Sequence, residues 1–177
     1  LDGAVRESEF VGNTMSTLLD VNKKISSSGG GAAFGGITEG IHDSLFEDNV
    51  AKGGGGFNKG KNGFDGGVKN TDLINNKATD AEGGAMRITT AFSGGIHDSY
   101  FYQNSAVTYG GGAVFYKGFD GGVNNSRFEK NTTDHTTVAG KTTSFGGAIL
   151  FLDEGRGGIN ESTFLNNSSN TQAGAIM

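Results

Sequence analysis

Apolar and polar positions along the chain follow one pattern that occurs six times: a glycine (Ala4 in the first copy), then Ile or Val, two variable residues, Ser or Thr, one variable residue, Phe or Leu, two variable residues and Asn. The aromatic position is filled by Phe10, Phe46, Leu73, Phe101, Phe128 and Phe164, and the last by Asn13, Asn49, Asn76, Asn104, Asn131 and Asn167. Two residues before the aromatic stand Ser8, Ser44, Thr71, Ser99, Ser126 and Ser162, and five before it Val5, Ile41, Val68, Ile96, Val123 and Ile159. Successive aromatic positions are 36, 27, 28, 27 and 36 residues apart. After each Asn comes a glycine-rich strand start: Gly30-Gly31-Ala32-Ala33, a degenerate Gly53 to Phe57, Gly83-Gly84-Ala85-Met86, Gly111-Gly112-Ala113-Val114, Gly146-Gly147-Ala148-Ile149 and Ala173-Gly174-Ala175-Ile176. Leu1, Ile37, Phe64, Phe92 and Phe119 form a further apolar column, in which Gly155 is the sixth member.

A period of this length is the signature of a stacked solenoid. Three short apolar segments per period, parted by glycine or polar corners, predict an all-β right-handed single-stranded parallel β-helix. It would have about six coils of about 27 residues and three strands per coil, in a single segment over 1–177. Each segment is too short to bury its own face and must lie on its copy in the next coil, about 4.8 Å away. The Phe column then stacks in the interior, each ring contributing about 1.5 to 3 kcal/mol by burial. The Asn column fits an amide ladder in which each side chain donates to one copy and accepts from another, although Asn also suits turns for local reasons. Alternation along Met86-Arg87-Ile88 places the first and third side chains inward.

The composition supports a packed core, with 33 Gly and 13 Phe among 177 residues and neither Pro nor Trp. Cys is absent, so disulfides and thiolate metal sites are excluded. The net charge of -5, with basic residues scattered, argues against nucleic acid as a partner. No apolar run approaches the roughly 18 to 20 residues that a membrane-spanning helix needs, and the expectation is that any signal or anchor lies outside this segment.

The alternation of Phe-x-x-Asn with Gly-Gly-Ala-Ile, complete in Phe128-Glu129-Lys130-Asn131 and Gly146-Gly147-Ala148-Ile149, resembles the repeat pair of the polymorphic outer membrane proteins of chlamydiae. The resemblance covers nearly the whole chain. It implies an autotransporter-like β-helical passenger, displayed on a cell surface and used in adhesion. Departures are Gly56-Phe57 in place of Ala-Ile and Leu73 in place of Phe.

The residues that invite a chemical reading are few. His42-Asp43 and His97-Asp98 share one repeat position with Lys69-Asn70 and Asn124-Asn125. With Lys69 on the coil between them the two histidines should be about 10 Å apart, two steps of about 4.8 Å, which is too far for one ion. Glu7, Asp43, Asp98 and Glu161 share a column with Asn70 and Asn125, a spacing read as alternate coils and therefore against a shared calcium. Arg6, Arg87, Arg127 and Arg156 fall at different repeat positions, so no catalytic cluster of acids and bases is expected, no cofactor is called for, and a carbohydrate-active lyase or epimerase is a distant reading. Asn124, Asn131, Asn160, Asn166 and Asn167 head Asn-x-Ser/Thr sequons and are candidate glycosylation sites. Two long intervals place insertions at one corner, over 14–28 and 132–144, where they could carry receptor or glycan recognition or be tolerated drift. The expected function is a non-catalytic extracellular adhesin or spacer. The alternative is a structural filament subunit, because the first and last residues would continue the repeat in register and could associate head to tail.

Overall fold

The computed structural model describes residues 3–15, 29–34, 37–60, 64–134 and 144–177. Leu1 and most of both insertions lie outside these residues. Among the described residues there is no helix, and every strand is two or three residues long. Each coil lays down its strands beside their copies in the next, in parallel and in coil order, so the fold is a parallel β-helix.

There are four sheets rather than the three expected. The first holds the Val/Ile strands, from Ala4–Arg6 and Gly40–His42 to Ile159–Asn160. The second holds the aromatic strands, including Leu45–Glu47, Tyr100–Tyr102 and Arg127–Glu129. The third carries the two-residue strands that follow Asn, such as Lys77–Ala78 and Ser105–Ala106, and the fourth carries Ala32–Phe34, Phe57–Lys59, Met86–Ile88, Ala113–Phe115 and Ile149–Phe151.

The extra sheet follows from parity. Ile41, Phe46 and Ala51 are all buried, as are Ile96, Phe101 and Ala106. Members of each trio are five residues apart, and an odd separation on one pleated strand would send them to opposite faces. Two residues in the left-handed region restore the facing. One column, Glu7, Asp43, Asn70, Asp98, Asn125 and Glu161, has φ of 46° to 50°. The next, Asp48, Asn75, Gln103, Lys130 and Asn166, has φ of 51° to 55°, with Gly12 at its head. Asp and Asn dominate the first and are frequent in the second because their short side chains tolerate this conformation better than other L residues. Each break starts a new short strand, so the block from Ile or Val to Asn spans two corners, one before the aromatic position and one after it.

Pairing also corrects the register of the glycine blocks. Met86 pairs with Ala113 and Phe57, and Ala113 with Ile149, so Gly83 aligns with Gly110, Gly54 and Gly146. The copies read from sequence at Gly30 and Gly111 are therefore shifted by one residue, because the first coil begins at Gly29 and the fourth at Gly110. A run of three glycines carries no apolar landmark by which to set its phase; the conformation does. Gly54, Gly83, Gly110 and Gly146 have φ of 53° to 67°. The last coil places Ala173 there at φ 47°, opposite Gly146 through the Ile149 and Ile176 bridge. The following glycine serves a different need, since a Cβ on Gly84 would meet the Gly111 carbonyl and the Ser105 backbone.

The interior is aromatic. Phe10 stacks on Phe46 with ring centroids 4.7 Å apart, Phe101 on Phe128 at 4.3 Å, and Phe128 on Phe164 at 4.9 Å. Leu73 interrupts this column, and Phe46 turns to Phe57 at 5.2 Å. Phe64, Phe92 and Phe119 bridge in register and continue to Gly155. Fourth-sheet rings Phe115 and Phe151 pack onto Phe119 at 4.7 and 5.0 Å. In that same sheet Lys59 occupies the position between Phe34 and Ile88 and is fully buried. Desolvation pushes its ammonium below the ordinary lysine range, opposed by the nearby charge of Asp65.

Two outcomes follow. Gly84→Ala should cost about 3 kcal/mol or more by forcing coils apart, whereas Gly60→Ala, which meets nothing within 4 Å, should be nearly neutral; paired denaturant melts compare them. For Lys59, the folded chain binds fewer protons than the unfolded one between the lowered value and the ordinary 10.5. Stability therefore rises with pH across that window and levels off above it. The stability difference between Lys59→Met and the natural chain should shift in favour of the natural chain as pH rises towards 10.5, as thermal melts at a series of alkaline pH values would report.

Candidate functional site

The two left-handed corners are each followed by a polar residue whose side chain turns inward: Ser or Thr at the first and Asn at the second. At the second corner the amides form an unbroken ladder. Nδ2 of Asn13, Asn49, Asn76, Asn104 and Asn131 donates to Oδ1 of the next Asn at 2.9 to 3.0 Å. The same Oδ1 atoms accept the backbone N–H of the preceding Asn, at 2.9 to 3.2 Å. Nδ2 also donates back to the carbonyl of the previous coil's aromatic position, from Asn49 to Phe10, Asn76 to Phe46, Asn104 to Leu73, Asn131 to Phe101 and Asn167 to Phe128. Each interior amide thus makes four hydrogen bonds, and Asn49, Asn76, Asn104 and Asn131 are fully buried. A lone buried amide would be costly, but a column of them satisfies itself.

A second ladder of hydroxyls runs beside the first, and its role was not read from sequence. Oγ of Ser8, Ser44, Ser99, Ser126 and Ser162 and Oγ1 of Thr71 each donate to the carbonyl two residues earlier, at 2.6 to 2.9 Å. Ser44, Ser99, Ser126 and Ser162 also accept the backbone N–H of the preceding coil's hydroxyl residue. The invariant hydroxyl five residues before each Asn was the available signal.

His42 and His97 both pair with Lys69 in register, so they stand two coils apart. Their Nε2 atoms engage the carbonyls of Glu39 at 2.7 Å and Gly94 at 3.0 Å. In the carboxylate column Asn70 donates to Asp43 and Asn125 to Asp98, each at 2.7 Å. The alternate-coil spacing does not hold throughout, because the pairing of Arg6 with His42 sets Glu7 and Asp43 on adjacent coils. Among the described residues no group of three or more His, Asp or Glu side chains is arranged to hold a metal ion.

The sequons divide sharply. Asn131 is buried and both its amide hydrogens are engaged, so its folded side chain cannot accept a glycan, and Asn167 holds the end of the same ladder. Asn124 is half-buried and faces His97 Nδ1 at 3.4 Å, and Asn160 is exposed but donates to Asn124 at 2.9 Å. Asn166 is exposed at a left-handed corner.

Arginines that look scattered in sequence are paired in space. Arg87 meets Glu82 at 3.0 Å and covers the Tyr116 ring at 4.9 Å, and Arg156 meets Glu154 at 2.7 Å. The richest cluster lies on the outer face of the second sheet. Alternation puts Arg127 and Glu129 on one side of their strand, at 2.8 Å, and register brings Tyr100 and Tyr102 of the preceding coil against them. Glu129 Oε2 accepts from Tyr100 Oη at 3.1 Å and from Arg127 Nε at 2.9 Å. Lys130 Nζ donates to Tyr102 Oη at 3.2 Å and sits 5.2 Å from its ring centroid. The two tyrosine rings stack with centroids 5.5 Å apart. The arginine hydrogen bond holds Glu129 below the usual carboxylate range, while burial pushes Tyr100 up. An open depression of about 470 Å³ borders this cluster, lined by Asp98, Ser99, Tyr100, Asn125, Arg127 and Glu129. Another of about 450 Å³ occupies the same corner in the first three coils, among Glu7, Glu9, Asp43, Leu45, Asn70 and Asp72.

Removing one rung tests the ladder. Asn104→Ala removes the Nδ2 donor of the Leu73 carbonyl and the Oδ1 acceptor of the Asn76 backbone and side-chain donors, and leaves Asn131 Oδ1 with the Asn104 backbone N–H alone. It should cost about 3 to 5 kcal/mol, whereas Gln103→Ala, exposed beside it, should stay within about 1 kcal/mol; urea titration of both variants measures the contrast.

No family model matches this chain, and neither a curated protein nor a solved structure matches it.

Proposed function

We propose that this chain is a non-catalytic extracellular scaffold, an adhesive or spacer β-helix of a cell surface that presents its corner insertions and outer sheet faces to a partner. The observation that carries this reading is the closed amide ladder, with every step from Asn13 to Asn167 made. Such a column locks each coil to the next through fully satisfied buried polar groups and gives a stiff rod whose outer face is free to vary. The resemblance of the repeat pair to the chlamydial surface proteins supports the same reading. So do the two insertions, whose described ends leave one corner, since Thr14 bridges Val50 of the third sheet and Asp134 follows the third-sheet strand Thr132–Thr133. Loops held by a rigid frame are a common place for recognition.

Antibodies raised against the folded chain should label the intact cells that make it, and external protease should remove the label. Labelling that appears only after the cells are opened would refute a surface role.

A further inference from the structure

We infer that the corner between the first and second sheets is a binding groove for a linear, uncharged oligosaccharide, centred on Tyr100, whose ring is backed by Tyr102. The pair is held in place before any ligand arrives. Glu129 fixes Tyr100 through its hydroxyl and is itself held by Arg127, and Lys130 caps Tyr102. Both rings are half-buried; Tyr102 lies between Tyr100 and Lys130 and backs the Tyr100 ring, which is the one that borders the depression. Tyrosine in that state supplies contact area at low entropic cost, and prior ordering of the site lowers the cost of binding.

The chemistry around the rings selects the ligand class. Within the depression beside Tyr100, Asp98 and Glu129 offer acceptors while Arg127 and Asn125 offer donors. Asp72 pairs in register with Tyr100 on the other side, and its carboxyl is raised by desolvation. A sugar ring matches this set, with an apolar C–H face for an aromatic ring and hydroxyls at its rim that both donate and accept. An apolar peptide would desolvate the Arg127–Glu129 and Asn125–Asp98 pairs without meeting their remaining donors and acceptors. A polyanion would be opposed along the corner by Glu7, Glu9, Asp43 and Asp72, whose depression ends where the tyrosine depression begins.

Repetition in the groove implies a polymer. The two depressions are built from the same repeat positions in the first three coils and in the fourth and fifth, and Asp72 and Tyr100 join them as paired residues on adjacent strands. Outward positions therefore recur about every 4.8 Å along the axis, close to the length of one pyranose unit in an extended chain, with side chains that differ from coil to coil. The groove goes beyond the surface-scaffold reading and does not depend on it, because sugar binding is measured on the purified chain wherever that chain resides.

With no Trp in the sequence, intrinsic fluorescence comes from four tyrosines, two of them Tyr100 and Tyr102, and the part of a ligand response that the double variant below loses is the part that reports this site. The probes are linear gluco-, manno-, galacto- and chito-oligosaccharides of two to six units, with polygalacturonate and oligolysine as charged controls. At least one neutral series should perturb the fluorescence, with affinity rising with chain length until the ligand spans both depressions. The double variant Tyr100→Ala/Tyr102→Ala should weaken that binding at least tenfold with an unchanged circular dichroism spectrum and melting temperature. Tyr102→Phe, which keeps the ring, should bind within about threefold of the natural chain. If no neutral series binds, if the double variant binds as well as the natural chain, or if polygalacturonate or oligolysine binds more tightly than every neutral series, the groove is not a site for an uncharged oligosaccharide.

Discussion

A buried carboxamide has two hydrogens to give and two lone pairs to fill, and in this fold its partner on each side is another copy of itself. That requirement governs the chain. An Asn satisfied by the Asn of the next coil ties the two coils in one register, because a shift of a single residue would leave four groups unpaired in the interior. The hydroxyl column imposes a second condition five residues earlier. Between the two ladders no residue can be added or lost, and the distance from Ser or Thr to Asn is five in all six coils. Length varies elsewhere: both insertions fall between the third and fourth sheets, a stretch that neither ladder crosses. Tolerance for insertion is therefore a property of the ladder geometry as much as of surface exposure.

The same repetition that satisfies polar groups restricts what can fill the interior. Phe is favoured because one ring lies flat on the next at one coil step, as at Phe101 and Phe128. Leu73 shows that the column survives an interruption, since Phe46 finds Phe57 instead. Lys59 is the sharper exception, a charge placed in line with Phe34 and Ile88. Its lowered proton affinity is the cost of that position made measurable. Glycine pays for the close passage of coils at Gly84 and Gly111, where no side chain fits against the neighbouring carbonyl. The fold thus depends on columns, and a residue's environment is largely set by its copies above and below.

That dependence explains which features could be read without coordinates. The columns of Ile/Val, Ser/Thr, Phe and Asn are written directly into the repeat, and stacking was their consequence. The number of sheets was legible too, in the odd separation of Val5 from Phe10 and of Phe128 from Thr133, but only by asking on which face each residue must lie. The phase of the glycine blocks was not, because Gly29-Gly30-Gly31 and Gly110-Gly111-Gly112 differ from one another only in backbone angle and hydrogen bonding. The tyrosine cluster was hidden for another reason: it joins Arg127 and Glu129 to residues of a different coil, and such pairs emerge only when the outward positions are aligned as columns, as the inward ones were.

Inward and outward positions are therefore under different constraints. Inward columns repeat because each member is its neighbour's partner. Outward columns need no such agreement, and they do not show it: Glu9, Leu45, Asp72, Tyr100, Arg127 and Thr163 occupy one outward position in successive coils of the second sheet. A scaffold with this division can change its surface chemistry one coil at a time without disturbing the ladders. Where several outward residues nevertheless form an ordered network, as Tyr100, Tyr102, Arg127, Glu129 and Lys130 do, the repeat does not account for it. Stacking needs none of those side chains, so the network is a property of the surface of these two coils and not of the repeat.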